Sequence, residues 1–128
     1  MKEKLVRDTM QLGVPTCKTD TPLPDVARLL SEEERDVLAV MEDGGVLGVV
    51  SQSDLARAFL GDYRSMTARE IMSAEVHSVS PDIPLKTAIE MMIEKGVHQV
   101  LVMRVNGGGK PVPTGVLSKH HLIELMSE

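Results

Sequence analysis

Aromatic residues are nearly missing from this chain of 128, which has one Phe, one Tyr and no Trp. That absence excludes the stacking platforms on which single-stranded nucleic acids are held. No basic excess makes up for it, because 14 Lys and Arg face 19 Asp and Glu, a net charge of −5. A nucleic-acid partner is therefore not expected. Cysteine is equally scarce: a lone Cys17 makes no intramolecular disulfide and no thiolate zinc cluster, and a cytoplasmic setting is the default. No apolar run approaches the roughly 18 residues a membrane span needs, and Arg7 and Asp8 interrupt any signal-peptide core. What remains is one small globular module with an aliphatic core, drawn from about 35 Val, Leu and Ile residues and nine Met.

The chain repeats itself. An offset of 62 residues lays Val6-Arg-Asp-Thr-Met10 on Ala68-Arg-Glu-Ile-Met72. The same offset sets Val14 on Val76, Asp20 on Asp82, Pro22 on Pro84, Leu23 on Leu85, Glu32 on Glu94 and Val40-Met41 on Val102-Met103. Beyond an insertion of about five residues the offset becomes 67, pairing Gly48-Val-Val-Ser51 with Gly115-Val-Leu-Ser118 and Leu55 with Leu122. Two copies of one unit, residues 1–62 and 63–128, together form one module.

Each copy reads as strand, helix, strand, strand, helix. In the first, a strand near Val14 to Cys17 leads to Thr21-Pro22, an N-cap followed by proline. A helix carrying Val26, Leu29 and Leu30 on one face follows, then Glu32-Glu33-Glu34 as a solvated face. Val37 to Met41 and Val46 to Val50 flank Glu42-Asp43-Gly44-Gly45, a hairpin signal. A last helix runs from about Gln52 to Leu60. The second copy repeats this with helices over Pro84 to Lys95 and Lys119 to Ser127, and strands over Gln99 to Val105 and Val112 to Leu117. Units this small do not cover both faces of a three-stranded sheet, so the copies are expected to pack about a pseudo-twofold axis.

This pattern resembles the tandem cystathionine-β-synthase (CBS) domain pair over about residues 6 to 126. The likeness is carried by Arg7-Asp-Thr-Met10 and Arg69-Glu-Ile-Met72, by Asp20-Thr-Pro-Leu23 and Asp82-Ile-Pro-Leu85, and above all by Gly48-Val-Val-Ser-Gln-Ser-Asp-Leu55. The resemblance implies an α+β fold of two β-α-β-β-α repeats. It also implies a non-catalytic regulatory module that binds AMP, ADP, ATP or an S-adenosyl compound in clefts between the copies. Ser51 would then meet phosphate and Asp54 the ribose hydroxyls. Thr16, Cys17 and Asp20, with Asp36, Val37 and Leu38, would edge the adenine pocket.

The residues themselves allow that reading and a plainer one. Ser51 follows a strand and opens a helix, where anions are favoured, and Asp54 one turn on can accept two hydroxyl hydrogens. The same Ser-x-x-Asp spacing is also close to a capping box that needs no ligand. Copy two keeps Ser118 but puts His121 where copy one has Asp54, a poorer grip on a vicinal diol. One competent site per chain is therefore expected. Lys119 and His120 are candidates to reach a phosphate, with surface placement the alternative.

Other signals are weaker. Asn106-Gly-Gly-Gly-Lys110 lacks P-loop spacing and reads as a mobile hairpin tip. The four His are scattered, so no metal site and no required cofactor are expected. Residues 1–62 carry 7 basic and 12 acidic groups against 7 and 7 in residues 63–128, which favours a monophosphate or adenosyl ligand over ATP. Without an appended catalytic domain, output would pass to an unidentified protein partner or through a homodimer built on Leu55, Phe59, Leu122, Leu125 and Met126. A ligand-free interaction scaffold of the same fold is the alternative.

Overall fold

The computed structural model of the chain describes residues 3–128. In chain order its elements are β1 (Gln11–Leu12), β2 (Thr16–Lys18), α1 (Leu23–Glu33), β3 (Val37–Glu42), β4 (Gly45–Ser51) and α2 (Gln52–Phe59). They continue with α3 (Ala68–Ile71), β5 (Ser78–Val79), α4 (Leu85–Lys95), β6 (Gln99–Val105), β7 (Pro111–Ser118) and α5 (Lys119–Met126). The expected strand-helix-strand-strand-helix order is present twice, within an α+β fold. Among the described residues no helix is long and apolar enough to cross a membrane.

The chain forms two compact units. One is Val14–Val76; the other joins Met1–Gly13 to His77–Glu128. In the first, β2 and β3 run parallel with α1 as the crossover that parallel pairing demands, and β3 and β4 form an antiparallel hairpin. Its two-residue loop holds Asp43 at φ 50° and Gly44 at φ 79°, the twist that matches flanking strands. The second unit repeats this with β5, β6 and β7 and adds β1 along the edge of β7, giving the order β1-β7-β6-β5. Both hairpins slip register at equivalent places, between Val40 and Met41 and between Val102 and Met103. At the inserted tip, Asn106 Oδ1 accepts from the amides of Gly108 (2.9 Å) and Lys110 (3.0 Å).

The compact units differ from the sequence repeats by the segment ahead of each first strand. Residues 1–13 lie with the second copy and residues 63–76 with the first. Three backbone hydrogen bonds tie each segment down at matching positions. Val6 N donates to Ile83 O (3.0 Å), Arg7 N to Pro81 O (3.0 Å) and Leu85 N to Lys4 O (2.8 Å). Their counterparts are Ala68 N to Thr21 O (2.9 Å), Arg69 N to Thr19 O (3.0 Å) and Leu23 N to Met66 O (2.9 Å). Self-alignment shows that two segments are equivalent but not which copy each one completes. Thr21 is therefore occupied in this junction: Pro22, not Thr21, is the N-cap of α1, and the Thr21 hydroxyl accepts from Lys18 N (3.0 Å).

Both cores are aliphatic. Cys17, Leu23, Val26, Leu30, Leu38, Val40, Val50, Ala58 and Ala68 fill the first, and Val6, Leu85, Ala88, Met92, Val100, Val102 and Leu117 the second. Val6, contributed by the N-terminal segment, is fully buried, worth ~1.5–3 kcal/mol of apolar transfer. The two glycines of the repeated Gly-Val-x-Ser segments are explained by the same exchange. A Cβ on Gly48 would come 2.8 Å from Ser73 O and Met72 Sδ, and one on Gly115 would come 2.5 Å from Gln11 O. Only glycine lets the crossing segment lie flat on the last strand.

Candidate functional site

The strand-to-helix junction at Ser51 brings together four of the expected residues, Ser51, Asp54, Asp36 and Val37. In the sheet of the Val14–Val76 unit, Ser51 is the register partner of Val37, Leu38 of Val50 and Thr16 of Ala39. Alternation therefore puts Thr16, Val37 and Ser51 on one face and Cys17, Leu38 and Val50 on the core face. Asp36 lies just before β3 and accepts from the Gln52 side-chain amide at 2.8 Å, clasping the start of β3 to the start of α2.

Asp54 is the centre of this junction. It is 4% exposed, the one charged residue among the buried described residues. Its Oδ2 accepts from Ser51 N (2.9 Å) and Ser51 Oγ (3.0 Å), the return arm of a capping box on α2. Its Oδ1 meets the Arg57 guanidinium and accepts from Ser73 Oγ at 3.3 Å. The capping alternative is thus present in this side chain, which lies beside Ser51, the register partner of Val37. Charge at this depth requires such partners, since an unpaired buried carboxylate is expensive.

Two members of this network carry little sequence signal. Arg57 lies one turn after Asp54 on the same helix, a spacing that i,i+3 pairing would suggest. Ser73 is 19 residues away, and only the path of the 63–76 segment along β4 brings it in.

The remaining expected residues are placed differently. Cys17 and Leu38 turn their side chains into the core, so only their backbone is available to a ligand. Burial pushes the Cys17 thiol pKa up, partly offset by its hydrogen bond with Thr21. The native state therefore disfavours the thiolate, and this contribution to stability is lost as pH rises past the free-thiol value of about 8.5. Thiol alkylation at pH 8 is expected to run about tenfold or more slower in the folded chain than in urea, followed by mass spectrometry; equal rates would contradict this burial.

Asp20 does not join the Ser51 group. With Lys18, Thr19 and the hairpin residues Met41–Gly44 it lines a separate cavity of about 460 Å³. That cavity lies at the far end of β3, roughly 17 Å from Val37 at the usual strand rise. Lys119 and His120 belong to the other compact unit, at the start of α5. Lys119 N donates to His98 O (3.0 Å), and His120 is exposed and pairs with Glu124 (2.9 Å). Among the described residues no group of three or more His, Cys, Asp or Glu is arranged for a metal ion.

In that unit His121 takes over the capping role of Asp54. Ser118 N donates to His121 Nδ1 at 3.1 Å, and His121 N donates to Ser118 Oγ at 3.4 Å. A nitrogen that accepts this bond carries a lone pair, so imidazole can replace carboxylate as a cap. It offers no second acceptor on that ring atom for a diol. Both side chains accept from the amide of the capping serine, but the chemistry they leave at the junction differs.

Two β-α-β-β-α units in one chain, with a serine cap at each last strand-to-helix junction, define the class as a tandem CBS pair. The CBS domain family matches residues 6–61 and 68–128, and the chain belongs to that family. It is similar to the CBS domain-containing protein YhcV of Bacillus subtilis, at 24% identity over 103 residues, covering 79% of this chain and 74% of that protein. It is also similar to a probable arabinose 5-phosphate isomerase of Haemophilus influenzae, at 27% identity over 101 residues and 77% of this chain. The chain spans only 30% of that isomerase. Among solved structures, the CBS domain pair of protein MJ0100, in complex with 5′-methylthioadenosine and S-adenosyl-L-methionine, superposes with a TM-score of 0.83. That pair is 20% identical and the match covers 98% of each chain, a likeness of fold.

Proposed function

We propose that this chain is a regulatory module that binds one adenosine-containing ligand at the Ser51–Asp54 junction and passes the signal to a protein partner. The observation that carries this is Asp54: a carboxylate at 4% exposure, oriented from both sides, at the end of the sheet face that holds Val37 and Thr16. Asp54 would accept the ribose hydroxyls and the N-terminus of α2 would favour a phosphate or other anion beside Ser51. Val37 and backbone groups of β2 and β3 would line the base. The complex of the MJ0100 pair with adenosyl compounds supports the ligand class. The acidic balance of residues 1–62 favours 5′-methylthioadenosine, S-adenosylmethionine or AMP over ATP. No catalytic step is part of this reading. Exposed Phe59, Ile123 and Met126 on the last helix of each copy are the surfaces through which self-association would act.

A second reading has its own observation. Each Asp54 contact is closed within the chain, as a purely structural cap would be, and this favours an interaction scaffold without a ligand. Thermal unfolding against adenosine, 5′-methylthioadenosine, S-adenosylmethionine, AMP, ATP and GMP separates the two. A ligand at 100 times its dissociation constant adds about 2.7 kcal/mol, a rise of several degrees for a chain of this size. A rise with adenosine compounds and none with GMP is expected; no rise with any of them favours the scaffold.

A further inference from the structure

The diol-binding role proposed for Asp54 meets an obstacle inside the molecule, because both carboxylate oxygens are already engaged. The four donors are not equally replaceable. Ser51 N and Ser51 Oγ, at 2.9 and 3.0 Å on Oδ2, belong to the start of α2, and losing them costs the cap. Arg57 brings a positive charge to Oδ1 that no ligand hydroxyl reproduces. Ser73 Oγ is a neutral hydroxyl on the same Oδ1, and at 3.3 Å it makes the longest of the four bonds. A ribose hydroxyl can exchange for it one for one.

The surroundings allow that exchange without backbone movement. Ser73 N donates to Val49 O (2.8 Å) and Val49 N donates to Ser73 O (3.0 Å), which fixes the Ser73 main chain to the edge of β4. Close packing of Met72 and Ser73 on Gly48 holds it there. Only the side-chain torsion is free to release the hydroxyl. The other unit supplies an independent comparison. By the pairing of Val49 with Ser73 and of Val116 with Gln11, Gln11 stands where Ser73 does, just as His121 stands for Asp54. Hydroxyl and carboxylate occur together in one unit and are both replaced in the other.

We propose that the Ser73 side chain is an internal competitor for the ribose hydroxyls and so sets the affinity and diol selectivity of the Asp54 site. This rests on the ligand reading given above. Ser73 acts through Asp54 as a specificity-determining residue and is displaced when ligand binds.

Isothermal titration of wild type, Ser73→Ala and Ser73→Thr with adenosine and with 2′,3′-dideoxyadenosine tests this. Ser73→Ala is expected to bind adenosine about three- to tenfold tighter, just below the usual range for a hydroxyl on a charged carboxylate because the competing bond is long at 3.3 Å. Dideoxyadenosine should bind wild type and Ser73→Ala alike, and Ser73→Thr, which keeps the hydroxyl, should match wild type. Equal or weaker adenosine binding by Ser73→Ala, with wild type binding normally, overturns the competitor and leaves the ligand reading intact. A gain of the same size for dideoxyadenosine also overturns it, since the effect would not involve the diol. If neither wild type nor Ser73→Ala binds adenosine, the ligand reading fails and the competitor falls with it.

Discussion

Asp54→Ala is expected to lower the melting temperature by roughly 6–10 °C and to weaken adenosine-compound binding by about 10- to 150-fold. The stability loss follows from the four donors that lose their acceptor. An N-cap partner is worth ~1 kcal/mol, and the stranded donors, which are only part-buried, cost ~1 kcal/mol at the low end of their range, so about 2 kcal/mol in all. The affinity loss is the ~1.5–3 kcal/mol of hydrogen bonds to a charged group. Asp54→Asn separates the two effects. Its amide oxygen still accepts from Ser51 N, so most of the stability should return, while a neutral amide remains a weak partner for two hydroxyls. Calorimetric unfolding and titration of both variants give the comparison. Full recovery of binding in Asp54→Asn would remove the carboxylate from the recognition chemistry and leave it only the cap.

Gly115→Ala should destabilise the chain by about 2–4 kcal/mol, more than an exposed strand alanine would normally explain. The new methyl meets the Gln11 carbonyl oxygen at 2.5 Å, a backbone atom that no side-chain rotation moves aside. Relief requires β1 to leave β7, which gives up the Gln11–Val116 and Leu12–Gly115 pairings. Hydrogen exchange should therefore quicken at Gln11–Gly13 and along Thr114–Leu117 first. Unchanged protection there would mean that the N-terminal segment does not depend on this glycine.

The fold was largely legible because periodicity and repetition are local properties. The Asp43-Gly44 turn, the β-branched runs around it and the proline-opened helices state their own geometry. The exchange of residues 1–13 and 63–76 was not legible, because it depends on which copy each equivalent segment completes. Thr21 illustrates the cost: as a local N-cap signal it is sound, yet its backbone is needed for Ala68 and its hydroxyl for Lys18. The site divided in the same way. Ser51 and Asp54 are three residues apart and readable, whereas Ser73 enters through the path of the chain. Cys17 and Leu38 stand on the expected strands but face the core, since one step along a strand reverses the side chain.

One adenosine-compound site at the Ser51–Asp54 junction should be visible in amide NMR of the whole chain titrated with 5′-methylthioadenosine. Saturable shifts are expected at Val37, Leu38, Ser51–Asp54 and Ser73, and none of comparable size at Ser118–His121. No shifts at saturating ligand, or shifts centred on Ser118–His121 instead, would contradict it.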